Sequence, residues 1–474
     1  MRMKSKLLSV CLLACLSSLA ALAAKPGLQL QVNVPDLGGD KAYLGHYYMG
    51  KLYQKDSIQL DSKGKGAFTS PENLPEGLYV VYFSGSKYFD VLLSEDQHIS
   101  VQVDTANMSD GLKFSGAEQT VAFYEYSQFL RQMQKESSAL SERLKATEDE
   151  KEKEALTAES KRLNERVQAR QNELRTRYEG KMMAVFLNGL LHPDLPEFEI
   201  PEGVSNPDSL KTALRYGFFR DHYFDYVDFA DERVYRTPYI RSSLDFYVNK
   251  VLVQQHDSIA KPAIRLIERS KADEHCFQNM ANYFLDFSVK SHIMGMDNLL
   301  VELGYRYYLN GQATWADSTL VSNISKEIRK IEHSLVGMQA PNISLCDTLG
   351  RYHPIYDLAG EQITILFFFE PTCGHCKKTT PLVREFYEEY KNDPRLNVIA
   401  VYMLDDEKEW RDFIKEYQTE SFINVWDPER SSYYWSYYDT STTPMIYVFD
   451  ANHKIFAKKV DVEGLKMIAK YELK

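Results

Sequence analysis

Three patterns of apolar and polar positions succeed one another along the chain. In the first, Leu28, Leu30, Val32 and Val34 alternate with other residues, and Ile99, Val101 and Val103 alternate with Ser100 and Gln102. A period of two predicts strands with one buried face. Turn signals recur at Gly38-Gly39-Asp40, Asp61-Ser62-Lys63-Gly64, Pro75-Glu76-Gly77 and Gly85-Ser86. Strands at that spacing predict a small antiparallel sandwich or barrel over residues 25–116.

The second pattern steps by threes, fours and sevens. Tyr126, Leu130, Met133, Leu140 and Leu144 precede a charged stretch from Thr147 to Glu154, and Leu156, Leu163, Val167, Leu174 and Tyr178 follow it. Two short heptad-like arms around a charged middle predict an antiparallel helical hairpin, or one long helix, packed within the chain. Pro193, Pro196 and Pro201, in the stretch from His192 to Asn206, mark the linker that stops it, and Pro207 adjoins. The helical character extends over residues 117–335. The third pattern is the unbroken apolar run Ile363-Thr364-Ile365-Leu366-Phe367-Phe368-Phe369, which predicts a strand buried on both faces. Leu382, Val383, Phe386 and Tyr390 after it recur at helical spacing.

A chain of 474 residues, 44% hydrophobic and 26% charged, is long enough for several cores, so a multi-domain α+β protein is expected. Its 56 Lys+Arg against 67 Asp+Glu give a net charge of −11 with no basic stripe, which argues against a nucleic-acid partner. The 32 tyrosines are read chiefly as core residues. At the N-terminus Arg2, Lys4 and Lys6 precede the apolar Leu7 to Leu22, and Ala21-Leu22-Ala23 forms a small-residue cleavage site. Residues 1–24 therefore read as an export signal. A rival reading takes Leu12-Leu13-Ala14-Cys15 as a lipobox, leaving a lipid anchor at Cys15. No later segment is long and apolar enough to span a bilayer.

The candidate chemistry is Cys373-Gly374-His375-Cys376, between the buried strand and the amphipathic helix. Two cysteines three apart can close a small disulfide there, and free helix N–H groups favour a thiolate. Cys373, at the helix tip, would attack or be attacked, and Cys376, one turn in, would resolve the mixed disulfide. No second cysteine pair or histidine pair follows at metal spacing, so neither zinc nor a cofactor is expected. His222, Asp225 and Asp228 share roughly one helix face, but aromatic residues between them favour capping or core hydrogen bonds over a metal. Cys276 and Cys346 read as buried apolar fillers, with a pairing between them left open.

Further motifs surround the cysteine pair in order. Gly337-Met338-Gln339-Ala340-Pro341 opens the segment, and Asp347-Thr348-Leu349-Gly350 follows as a short hairpin. Val398 to Tyr402 reads as a strand, Glu409 to Tyr417 as a crossover helix, and Thr443-Pro444 precedes the strand Met445 to Phe449. Together residues 336–474 resemble the TlpA/ResA-like thiol–disulfide oxidoreductases of thioredoxin fold. The resemblance implies an α/β domain with a redox-active Cys373–Cys376 disulfide. It also implies a cis Thr443–Pro444 that faces the disulfide and presents backbone to a substrate cysteine. Its implied partners are client proteins with cysteines and a membrane or envelope redox partner. The sequence departs from relatives at Thr372, at Phe367 and at Thr379, the last two replacing carboxylates that assist the buried cysteine. His375 completes the dipeptide of protein disulfide isomerase, and a cationic imidazole there favours a more oxidising pair than thioredoxin.

The order of Tyr43-Leu44-Gly45, Asp56-Ser57, Gly66-Ala67-Phe68 and Gly77 to Val81 resembles a β domain of unknown function that often precedes such domains. Similarly, the aromatic and acidic stretch from Tyr216 to Pro238 resembles a helical domain of unknown function. An alternative role follows: an envelope binding or scaffold module in which the β and helical parts recognise a partner and redox activity is secondary.

Overall fold

The computed structural model describes residues 27–473 apart from Ser109; the export signal and Cys15 lie outside the described residues. By contacts the chain divides into two units, one of residues 1–192 with 233–242, the other of 193–232 with 243–474. In this division the hairpin clusters with the β layers, and the later helices with the C-terminal fold.

In the first unit, eight strands form two four-stranded sheets. Strands β1 (Leu28–Asn33), β4 (Lys65–Ser70), β7 (His98–Val103) and β8 (Leu112–Gly116) make one sheet, in the order β4-β1-β7-β8. The other sheet runs β3-β2-β5-β6, from β2 (Lys41–Tyr48), β3 (Lys51–Gln59), β5 (Gly77–Phe83) and β6 (Tyr88–Leu93). Alternate residues of both, among them Leu30, Val32, Leu44, Val81, Val91 and Val101, share one buried cluster, as a sandwich requires. One pairing departs from the antiparallel expectation: β1 and β7 run parallel, because β7 joins this sheet only after the chain has built the other. Gly64 turns the chain at φ 74°, where an added Cβ would lie 1.9 Å from the Val34 carbonyl oxygen.

Helices α1 (Glu118–Ala146) and α2 (Glu150–Arg177) form the antiparallel hairpin, not one helix. Asp149 stops continuation by capping α2, its carboxylate accepting from the N–H groups of Lys151 and Glu152. Near the sheets, Phe123 and Tyr126 pack with Leu78, Leu92, Leu174 and Tyr178. Further out, Met133 and Leu140 meet Leu156 and Leu163. Leu144, expected on the same seam, is 38% exposed because it lies beyond the last packed layer.

The second unit opens with the proline-marked stretch 193–206, which carries no regular element. Its helical part includes Pro207–His222, His256–Ser270, Glu274–Lys290, Asp297–Leu303 and Ser318–Ile331. Tyrosines fill its core with their hydroxyls satisfied: Tyr307 donates to Glu268 and Tyr308 to Asn282, both at 2.7 Å. The C-terminal part is a seven-stranded sheet. Its strands are β9 (Ser344–Asp347), β10 (Tyr352–Pro354), β11 (Ile363–Phe369), β12 (Leu396–Tyr402), β13 (Ile423–Trp426), β14 (Met445–Asp450) and β15 (Ile455–Lys458), in the order β10-β9-β13-β12-β11-β14-β15. β11 is buried at every residue, as its unbroken apolar run predicts, with β12 parallel on one side and β14 antiparallel on the other. Ile363, Ile365, Phe367 and Phe369 face helices α3 (Gly374–Glu388), α4 (Glu407–Tyr417) and α5 (Val462–Glu472), while Leu366 and Phe368 face the second layer with Tyr434, Tyr438 and Tyr447. The face of α3 turned to the sheet is Val383, Phe386 and Tyr387. Leu382, expected in that face, is 51% exposed, one residue out of phase with it.

Candidate functional site

The central strand β11 ends at Phe369, and after a short turn Cys373 becomes the N-cap of α3. The amide of Cys373 donates to the Glu370 carbonyl at 3.1 Å, which closes that turn. Its sulfur therefore sits where the first amides of α3 have no helical partner. The amide of Cys376 donates to the Cys373 sulfur at 3.5 Å, and the Cys373 thiol donates to the Thr443 carbonyl at 3.2 Å. Burial, the largest single influence on Cys373, works against its thiolate. Hydrogen bonds from the Thr443 side chain and from the amides of Cys376 and His375 outweigh it and lower the thiol pKa.

Cys376 lies one helical turn inward and is fully buried. Burial first, and then the contact with Cys373, push its thiol up to about 12. Phe367, also fully buried, shares its apolar cluster and supplies no group that could take its proton. Both cysteines are free thiols in this structure. The pair is thus unequal: one half-exposed thiol biased toward thiolate, and behind it a second held protonated.

The remaining expected site residues divide. Thr443 and Pro444 stand beside Cys373, and their peptide bond is cis, as the family resemblance implied. His375 is exposed, and its influence on Cys373 comes from its backbone N–H. Elsewhere, His222 bonds Asp225 at 2.6 Å whereas Asp228 accepts from the amide of Ala230 at 3.0 Å, so the three do not converge. Cys276 and Cys346 are buried free thiols, and burial pushes the Cys276 thiol far up.

One part of the site escaped the sequence reading. A groove of about 680 Å³ opens at His375 and Pro444 and runs between α3 and the start of α5. Leu382, Phe386, Met445 and Val462 give it apolar walls, while Glu385, Glu389, Asp461 and Glu463 supply carboxylates. The signal that could have found its α3 half is the spacing of Leu382, Glu385, Phe386 and Glu389 along one helix face.

Comparison with known proteins agrees with this geometry. Residues 360–455 match the family model described as thioredoxin-like, and residues 144–327 match a domain of unknown function, DUF5106. The chain is 28% identical over 116 residues to the thiol–disulfide oxidoreductase YkuV of Bacillus subtilis, covering 24% of this chain and 76% of that protein. A solved domain of a possible thiol-disulfide isomerase from Cytophaga hutchinsonii is 33% identical, covering 29% of this chain and 94% of that one, with a TM-score of 0.27. A thioredoxin-like protein from Bacteroides caccae is 17% identical, covering 59% of this chain and 99% of that one, with a TM-score of 0.44. Among the described residues, no helix is long and apolar enough to cross a membrane.

Proposed function

We propose that this chain, which through its C-terminal third belongs to the thioredoxin-like thiol–disulfide oxidoreductases, exchanges disulfides with cysteine-containing client proteins outside the cytoplasm. The observation that carries the reading is the inequality of the two thiols. Cys373 is half-exposed with a lowered pKa, and Cys376 is buried and protonated at neutral pH.

Cys373, as thiolate, attacks one sulfur of a client disulfide and forms a mixed disulfide, and the other client sulfur leaves as thiolate. The Cys376 thiol gives up its proton to that leaving sulfur or to solvent and attacks Cys373. This releases the second client thiol and leaves a Cys373–Cys376 disulfide. Two electrons pass from the protein to the client, and the reverse sequence oxidises a client dithiol. The backbone of Thr443 and the ring of Pro444 flank the attacking sulfur and guide the client strand. The export-signal pattern read in residues 1–24 supports export, and an envelope redox partner then resets the pair.

A Cys376→Ser variant tests this. Mixed with insulin, it should accumulate an adduct through Cys373 that dithiothreitol dissolves, whereas Cys373→Ser should form none. Absence of an adduct from Cys376→Ser would contradict the reading and favour the alternative of a binding or scaffold module.

A further inference from the structure

We infer that the groove between α3 and α5 selects extended client segments that carry Lys or Arg among apolar residues next to the reacting cysteine. The inference rests on the thiol-exchange reading above and assigns the substrate class of the same site.

The groove begins where a client sulfur must arrive, at His375 and Pro444. Its apolar wall includes Leu382, a large side chain left 51% exposed on a helix whose neighbouring residues Val383 and Phe386 are buried. An exposed leucine in a concave surface offers apolar area to a ligand. The groove's space of about 680 Å³ falls within the range typical of ligand clefts, roughly 300–1,000 Å³. Apolar lining alone would not choose among clients; charge supplies the choice.

Four carboxylates line the groove, those of Glu385, Glu389, Asp461 and Glu463, against the two ammonium groups of Lys459 and Lys466. Both lysines are engaged: Lys459 pairs with Asp439 at 3.3 Å and Lys466 with Glu463 at 2.8 Å. Glu385 and Glu389 are exposed, one turn apart, and in no ion pair among the described residues. They reach Lys466 only as a weaker field added to that of Glu463. Asp461, at the groove's edge, caps α5 by accepting from the Gly464 amide at 2.8 Å and is in no ion pair among the described residues. The groove's lining thus holds four carboxylates against two ammonium groups, which leaves a net negative charge along its apolar wall. Such a rim raises the encounter rate of cationic segments and repels anionic ones, and salt screens it.

The test uses the reduced full-length protein and two synthetic peptides. Each has one cysteine capped as a mixed disulfide with thionitrobenzoate, flanked by leucine with lysine in one and leucine with glutamate in the other. Attack by Cys373 on the peptide sulfur releases thionitrobenzoate, which is read by absorbance. At low salt the lysine peptide should react about tenfold faster, and the ratio should approach unity near about 1 M salt. Double reversal Glu385→Lys with Glu389→Lys should invert the preference, whereas Glu159→Lys with Glu165→Lys, on α2 and outside the groove's lining, should leave it standing.

Equal low-salt rates for the two peptides would overturn the inference. An equal response to the groove and α2 reversals would do so too, by making net charge the cause. Neutral dithiodipyridine separates the two levels of the argument. If the wild type fails to react even with that reagent, the thiol reading beneath the inference falls, not merely the groove's selectivity.

Discussion

Lys458, with a side chain only 3% exposed, pairs with Asp297 at the start of the helix Asp297–Leu303, and its Nζ also donates to the Ser334 carbonyl at 3.0 Å. Burial lowers the lysine pKa, and Asp297 opposes that effect. The pair ties the helical part of the second unit to the end of β15, just before the Val460–Asp461 rim of the groove. Removing one partner strands a buried charge, so Asp297→Ala should destabilise the second unit by about 3 kcal/mol. The paired replacement Lys458→Met with Asp297→Leu should recover most of that loss. Denaturant unfolding of the three proteins decides it, and equal midpoints for wild type and Asp297→Ala would count against the pair.

In the first unit, Asp90 on β6 has an oxygen buried without a partner, and burial raises its carboxyl pKa to about 6. The folded state thus holds this proton more tightly than the unfolded chain does. The group's contribution to stability is full below the ordinary carboxylate value and is lost as pH rises through about 6. Asp90→Asn, neutral throughout, should stabilise that unit by on the order of 3 kcal/mol near pH 7.5 and by almost nothing near pH 4. Melting curves at both pH values check this; a gain of equal size at each would contradict it.

Alkylation reads the inequality of the two thiols. Iodoacetamide should label Cys373 with a rate that rises with pH and levels off below the ordinary thiol value of 9.0, while Cys376 stays unlabelled in the folded protein. Mass mapping of the labelled peptide at several pH values gives both results, and comparable labelling of Cys376 would contradict the assignment.

Thr443 contributes to that lowered value through its side chain. Thr443→Val should therefore shift the Cys373 alkylation profile to higher pH while leaving the fold intact, as circular dichroism would verify. An unmoved profile would mean that the helix amides alone stabilise the thiolate.

The sequence made some of this architecture plain and concealed the rest for physical reasons. β11 was legible because a strand covered on both faces must be apolar at each residue, and Cys373 was legible because it stands where that strand meets a helix. The two helical arms were legible through their repeating seam, but the seam left one long helix open until the Asp149 cap decided for a hairpin. The parallel pairing of β1 with β7 was not, since alternation reveals which face a strand buries and nothing about its neighbour. Leu382 was misplaced because a helix face is broad and its edge cannot be told from its centre by spacing alone. Lys458 and Lys459 look alike as neighbours in sequence, yet one is buried against Asp297 and the other lines the groove; only tertiary contacts distinguish them. The groove joins α3 to a helix at the far end of the fold, so no local pattern could have shown both its walls.

The reduction potential of the Cys373–Cys376 pair, measured by equilibrating the purified protein in glutathione buffers, bears most directly on the central claim. A lowered Cys373 pKa stabilises the dithiol form, so the pair should form a reversible disulfide with a potential near about −200 mV, above the roughly −270 mV of thioredoxin. If no Cys373–Cys376 disulfide forms at any buffer ratio, the protein is not a dithiol oxidoreductase and the account fails.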